Sequence, residues 1–114
     1  MNVTTGMQVA RTAFVANHFK DRMLGLLSLP PLQRGEGLLI ERCRSVHTFG
    51  MRYAIDVAFI SHNYLVIKVL RSVTPRRITS FVWRAARVLE LPAGTLNDSK
   101  TQPGHQLLAT PVTT

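Results

Sequence analysis

The spacing of apolar residues changes several times along the chain, and each change predicts an element. "MNVTTGMQVARTAFVA" mixes β-branched residues with alanine and alternates loosely, as an edge strand reached through a frayed N-terminus does. In "NHFKDRMLGLLSLPP", Phe19, Met23, Leu26 and Leu27 recur at helical spacing, Asn17 is placed to cap and Pro30-Pro31 forbid continuation. That pattern predicts a short amphipathic helix over 18–27. Gly25 inside it costs about 1 kcal/mol relative to alanine, which predicts close approach to another backbone.

"LQRGEG" reads as a loop and "LLIERC" as a strand. The clearest element follows. "IDVAFI" and "YLVIKVLRSV" are β-branched and aromatic runs separated by Ser61-His62-Asn63, a hairpin pattern. Both faces of both arms are largely apolar, so the hairpin is expected to be central and covered on both sides. "TPRRITS" is a loop. "FVWRAARVLEL" carries mixed signals: its alanines and arginines favour helix, whereas Val82, Val88 and "VLEL" favour strand. A strand is predicted for 86–91, with 81–85 left open. "PAG" is a turn, "TLNDSKTQPG" a polar loop and "HQLLAT" a last strand before a loose "PVTT" tail.

This order predicts a mainly β chain, a compact antiparallel sandwich or jelly-roll-like fold, or a rolled barrel, with the one short N-terminal helix plugging an end. No repeat or linker divides it. A single domain over residues 1–114 is expected, with its core at about 8–110.

Length and composition fit that picture. A chain of 114 residues can bury about two thirds of its unfolded surface without disulfides or metals. No window approaches the roughly 18 apolar residues of a membrane span. The N-terminus shows no basic segment, long apolar stretch and small-residue cleavage site in succession, so a soluble cytoplasmic protein is expected. Cys43 is the only cysteine, which excludes an internal disulfide and a zinc site of several thiolates. No resident cofactor or metal is expected.

Charge adds more. A net charge of +8 on so small a domain gives a positive field that attracts polyanions. Between Asp56 and Glu90 there is no acidic residue, yet Lys68, Arg71, Arg76, Arg77, Arg84 and Arg87 fall there. Arg71, Arg76, Arg77, Arg84 and Arg87, interleaved with Phe81 and Trp83, could hold phosphates by charge and stack bases on rings. The plainer alternative is a solvated face with one or two buried aromatics.

The densest polar cluster precedes the hairpin, in "CRSVHTFGMRYAIDVAFI". On a strand, Asp56 points with Ala58 and Ile60, so its carboxylate begins an apolar face and needs Arg52, His47, Thr48 or backbone amides as partners. Such a corner can be structural. It can instead be a pocket built on His47, Thr48, Met51, Arg52, Asp56 and Glu90, with His47 and Asp56 as an acid/base pair or, with Glu90 and His105, a set of metal ligands. No H-E-x-x-H or nucleophile-elbow motif supports chemistry there.

"VHTFGMRYAIDVAFI", followed by "VLRSVTPRR" and "VLELPAG", closely resembles the bacterial and archaeal family called domain of unknown function 192. The likeness runs from Phe19, through "RMLGLLS" and "GLLI", to "PGHQLL". It implies a compact mostly-β fold and no established activity. His47, Thr48, Met51, Asp56, Glu90, Pro92 and Gly94 match the family's signature, which implies a shared polar corner. Ala54 stands where the family usually has proline, and Gly104-His105 where it tends to have Gly-Asp.

The leading expectation is a small soluble binding or accessory module, monomeric, whose pocket takes a small ligand or a protein partner. The alternatives are a metal-dependent or hydrolase-like enzyme at His47, Asp56 and Glu90, and nucleic-acid or polyanion binding through Arg71 to Arg87.

Overall fold

"IDVAFI" has no polar face to offer solvent, and it lies at the centre of the molecule. The computed structural model describes residues 1–17, 31–49 and 51–110, so the helix expected over 18–27 lies outside the described residues. Strands β1 (Thr12–Ala16), β2 (Glu36–Glu41), β3 (Ile55–Ile60), β4 (Val66–Val73) and β5 (Arg87–Pro92) form one sheet, followed by the helical turn α1 (Thr95–Asp98). The sheet order is β1-β2-β5-β3-β4. Every residue of β3 is buried.

Strand alternation divides the apolar residues into a layer on each face. Ile55, Val57 and Phe59 pack with Leu38, Ile40 and Val88 on one face. Ala58 and Ile60 pack with Leu39, Leu89, Leu91, Val66 and Leu96 on the other. Gly37 marks a close approach between strands: a Cβ there would lie 3.0 Å from Leu91 Cδ2 and 3.2 Å from Leu89 Cδ1.

The architecture is mainly β, as expected, but the sheet is mixed. β1 pairs with β2 in parallel, while β2–β5, β5–β3 and β3–β4 are antiparallel. A parallel pair needs a crossover of about a dozen residues or more, and the stretch between Ala16 and Glu36 is long enough to provide one. A second sheet, which a sandwich requires, is not found among the described residues.

Three local expectations are corrected. Of the hairpin arms only β3 is central; β4 is an edge strand, half-buried along much of its length, because Lys68, Arg71 and Ser72 break its apolar run. "HQLLAT" makes isolated bridges, Gln106 to Leu65 and Leu107 to Asn2, instead of a strand. Within "TLNDSKTQPG", residues 95–98 form α1. Its start is set by Gly94, whose φ of 95° suits a residue without a Cβ, and whose carbonyl accepts from Asp98 N–H.

Candidate functional site

Asp56 is fully buried, and backbone amides engage both carboxylate oxygens. Oδ1 accepts from Ser72 N–H at 2.9 Å, and Oδ2 accepts from Gly94 N–H at 3.1 Å and Leu96 N–H at 2.9 Å. Each amide needs a partner for a local reason. Ile55 pairs with Val73 and Val57 with Leu70, so β4 carries an extra residue here, and Ser72 takes a φ of 51°. A bulge of this kind leaves an amide outside the ladder, and the first amides of a helix have no intrahelical acceptor. The carboxylate therefore joins the bulge to α1.

Glu90 is also fully buried, but it faces the other way. Asp56 pairs with Leu91, and Glu90 with Val57 and Leu38. Neighbouring residues on a strand point to opposite faces, so Asp56 lies with α1 and Glu90 with Val57 and Val88. The segment containing His47 folds over Glu90's side of the sheet, where Cys43, Val46, Met51 and Tyr53 join the apolar layer. Thus the expected group divides: His47, Thr48 and Met51 come to the side of Glu90, Asp56 lies beyond the sheet, and Arg52 is exposed. His47 is half-buried; its Nδ1 accepts from Phe49 N–H at 3.3 Å and its ring lies 5.4 Å from that of Phe49.

Thr48 is fully buried and pins the loop between β4 and β5. Its Oγ1 donates to Thr74 O at 2.7 Å and accepts from Arg77 N–H at 2.9 Å. Its amide donates to Arg77 O, and its carbonyl accepts from Met51 and Arg76 amides. The pairing continues outward, with His47 bridging Ile78, Thr79 N–H donating to Val46 O, and Val82 N–H donating to Arg44 O. Two irregular segments are thereby held side by side in fixed register.

The fixed register places large apolar side chains in water. Val82 packs inward, whereas Phe81 and Trp83 on either side of it are 52% and 79% exposed, and Ile78 is 74% exposed. Phe81 and Trp83 meet edge to face at 5.0 Å. Phe49 is exposed on the partner segment. Arg76, Arg77 and Arg84 are exposed on the same loop, and Arg44 reaches across it, donating from Nε to Ala85 O at 2.9 Å. Two expected members lie elsewhere. Arg71 donates to Thr101 O, and Arg87 is buried, 3.1 Å from Glu41 Oε1 and 4.1 Å above the Tyr64 ring.

Asn2 is a polar hub that sequence reading overlooked. It is fully buried, donates from Nδ2 to Thr101 Oγ1, contacts His105 Nδ1 at 3.2 Å, and accepts at Oδ1 from the amides of Thr4 and Thr5. Gln102 N–H also donates to His105 Nδ1. Two donors on Nδ1 put the ring proton on Nε2. A residue so near the chain start carried no signal of burial. His105 thus ties the chain ends together, on a different element from His47 and Glu90. Among the described residues no three His, Cys, Asp or Glu side chains gather closely enough to hold a metal ion. No helix among them is long and apolar enough to cross a membrane.

The sheet, with an apolar layer on each face and a basic loop pinned across one of them, defines a small β-rich domain. The chain belongs to domain of unknown function 192, described as an uncharacterized ACR, which it matches over residues 1–109. Two solved structures share the fold. One, from Novosphingobium aromaticivorans DSM 12444 and of unknown function, has a TM-score of 0.72 at 17% identity, over 82% of this chain and 71% of that one. The other, from Sinorhizobium meliloti 1021 and provisionally described as a transcription regulator, has a TM-score of 0.69 at 24% identity, over 82% of this chain and 78% of that one. No match was found among curated proteins.

Proposed function

We propose that the chain is a binding or accessory module that meets an anionic partner through the β4–β5 loop and the segment hydrogen-bonded to it. One observation carries this reading: Ile78, Phe81 and Trp83 are held exposed among Arg76, Arg77 and Arg84, on a stretch without acidic residues. Keeping apolar side chains in water forgoes the stabilisation that burying them would bring, and the backbone that carries them is hydrogen-bonded to the 44–48 segment. Such a patch rimmed by charge is characteristic of contact surfaces.

The competing acid/base reading at His47, Asp56 and Glu90 is less favoured, because three backbone amides occupy Asp56 and the sheet separates it from Glu90. Heparin chromatography, with heparin as a generic polyanion, tests the surface. Arg76→Ala with Arg77→Ala is expected to elute at clearly lower salt than the parent, and Asp56→Asn at the parent's position when folded. Unchanged retention of the arginine variant would overturn the reading.

A further inference from the structure

We propose that this face docks on an anionic lipid surface, with Ile78, Phe81 and Trp83 entering the headgroup region and Arg76, Arg77 and Arg84 pairing with lipid phosphates. The inference rests on the contact surface proposed above and names its partner. Aromatic rings with a polar edge favour the membrane–water boundary. Apolar residues set among arginines bind such a boundary by burial and charge together. All three apolar residues protrude, and Trp83 and Ile78 are the most exposed of the large hydrophobic residues described.

Two features favour lipid over a single-stranded nucleic acid. Ile78 has no ring on which a base could stack, yet it is nearly as exposed as Trp83. Phe81 and Trp83 are inclined at 77°, so they do not offer successive bases a pair of parallel faces. The charge is complementary to anionic headgroups, since the acids bounding the stretch, Asp56 and Glu90, are both fully buried and leave no exposed carboxylate between them in sequence. The face is also preformed, because Thr48 and the pairs Val46–Thr79 and Arg44–Val82 fix its backbone.

Trp83 is the only tryptophan, so its emission reports on this loop alone. The full chain would be mixed with vesicles of phosphatidylcholine, or of phosphatidylcholine with phosphatidylglycerol, some carrying brominated acyl chains. The expected result is a blue shift with bromine quenching in the phosphatidylglycerol vesicles. Binding should fall about fivefold for each of Arg76 and Arg77 changed to alanine, and about tenfold for Ile78→Ser with Phe81→Ser. These side chains are exposed, so the variants keep the core. No vesicle response, with salt-dependent quenching of Trp83 by a single-stranded oligonucleotide, would overturn the lipid assignment and leave the polyanion reading standing. No response to either probe would overturn both.

Discussion

Asp56 and Glu90 illustrate how far single residues can be read. That a carboxylate at position 56 begins an apolar face follows from strand alternation, and so does its need for partners. The identity of those partners does not, because the amides belong to a bulge at Ser72 and a helix start at Gly94 and Leu96, far along the chain. Whether the two acids could meet depends on one register fact, the pairing of Asp56 with Leu91. Had the strands slipped by one residue, both would share a face. Replacing Asp56 by asparagine puts an N–H donor where acceptors are required. Urea denaturation is therefore expected to show a loss on the order of 2–3 kcal/mol, and a loss below about 0.5 kcal/mol would contradict the clamp. For Thr48, valine keeps the shape and removes the hydroxyl that Thr74 and Arg77 share. Thr48→Val should cost about 1–3 kcal/mol and Thr48→Ser much less, and a Thr48→Ser loss larger than that of Thr48→Val would show that the methyl group, not the hydroxyl, matters.

At the scale of elements, strands with a strong apolar run were legible and short or edge elements were not. β3 and β5 follow from β-branched and leucine runs, and the hairpin from its polar turn. The place of β4 at the edge was hidden because Val66, Val69 and Leu70 read as a core strand, although Lys68 and Arg71 interrupt its apolar run. α1 was illegible for a different reason. A single helical turn pays the cost of nucleation without the gain of propagation, and it persists here because Asp56 accepts from its first turn and Leu96 is buried beneath it. Gly94→Ala is expected to destabilise by roughly 1–3 kcal/mol, since φ of 95° is strained for any side chain. Gly37→Ala should cost a similar amount, about 1–3 kcal/mol, by pressing on Leu89 and Leu91. Thermal unfolding compares the two, and a Gly94→Ala protein as stable as the parent would contradict the strain argument.

For the whole molecule, the sequence conveyed the size, the excess of positive charge and the acid-free interval, but not the location of the charge. Arg71 and Arg87 look equivalent to Arg76 and Arg84 in sequence, yet Arg87 is buried against Glu41 and Tyr64 while Arg76 and Arg84 are exposed. The aromatic exposure was equally hidden, because Phe81 and Trp83 alternate with the inward Val82 on a segment whose helical and strand signals conflict. A backbone pinned in register settles their direction.

The most direct test of the account is an amide NMR titration of the full chain with short-chain phosphatidylglycerol. The predicted result is a set of shift changes confined to residues 76–84, the Trp83 indole and the facing segment 44–49, with Asp56, Gly94 and Leu96 unmoved. Changes centred instead on Asp56 and α1 would contradict it, since they would place binding at the amide-bound carboxylate and not on the basic loop.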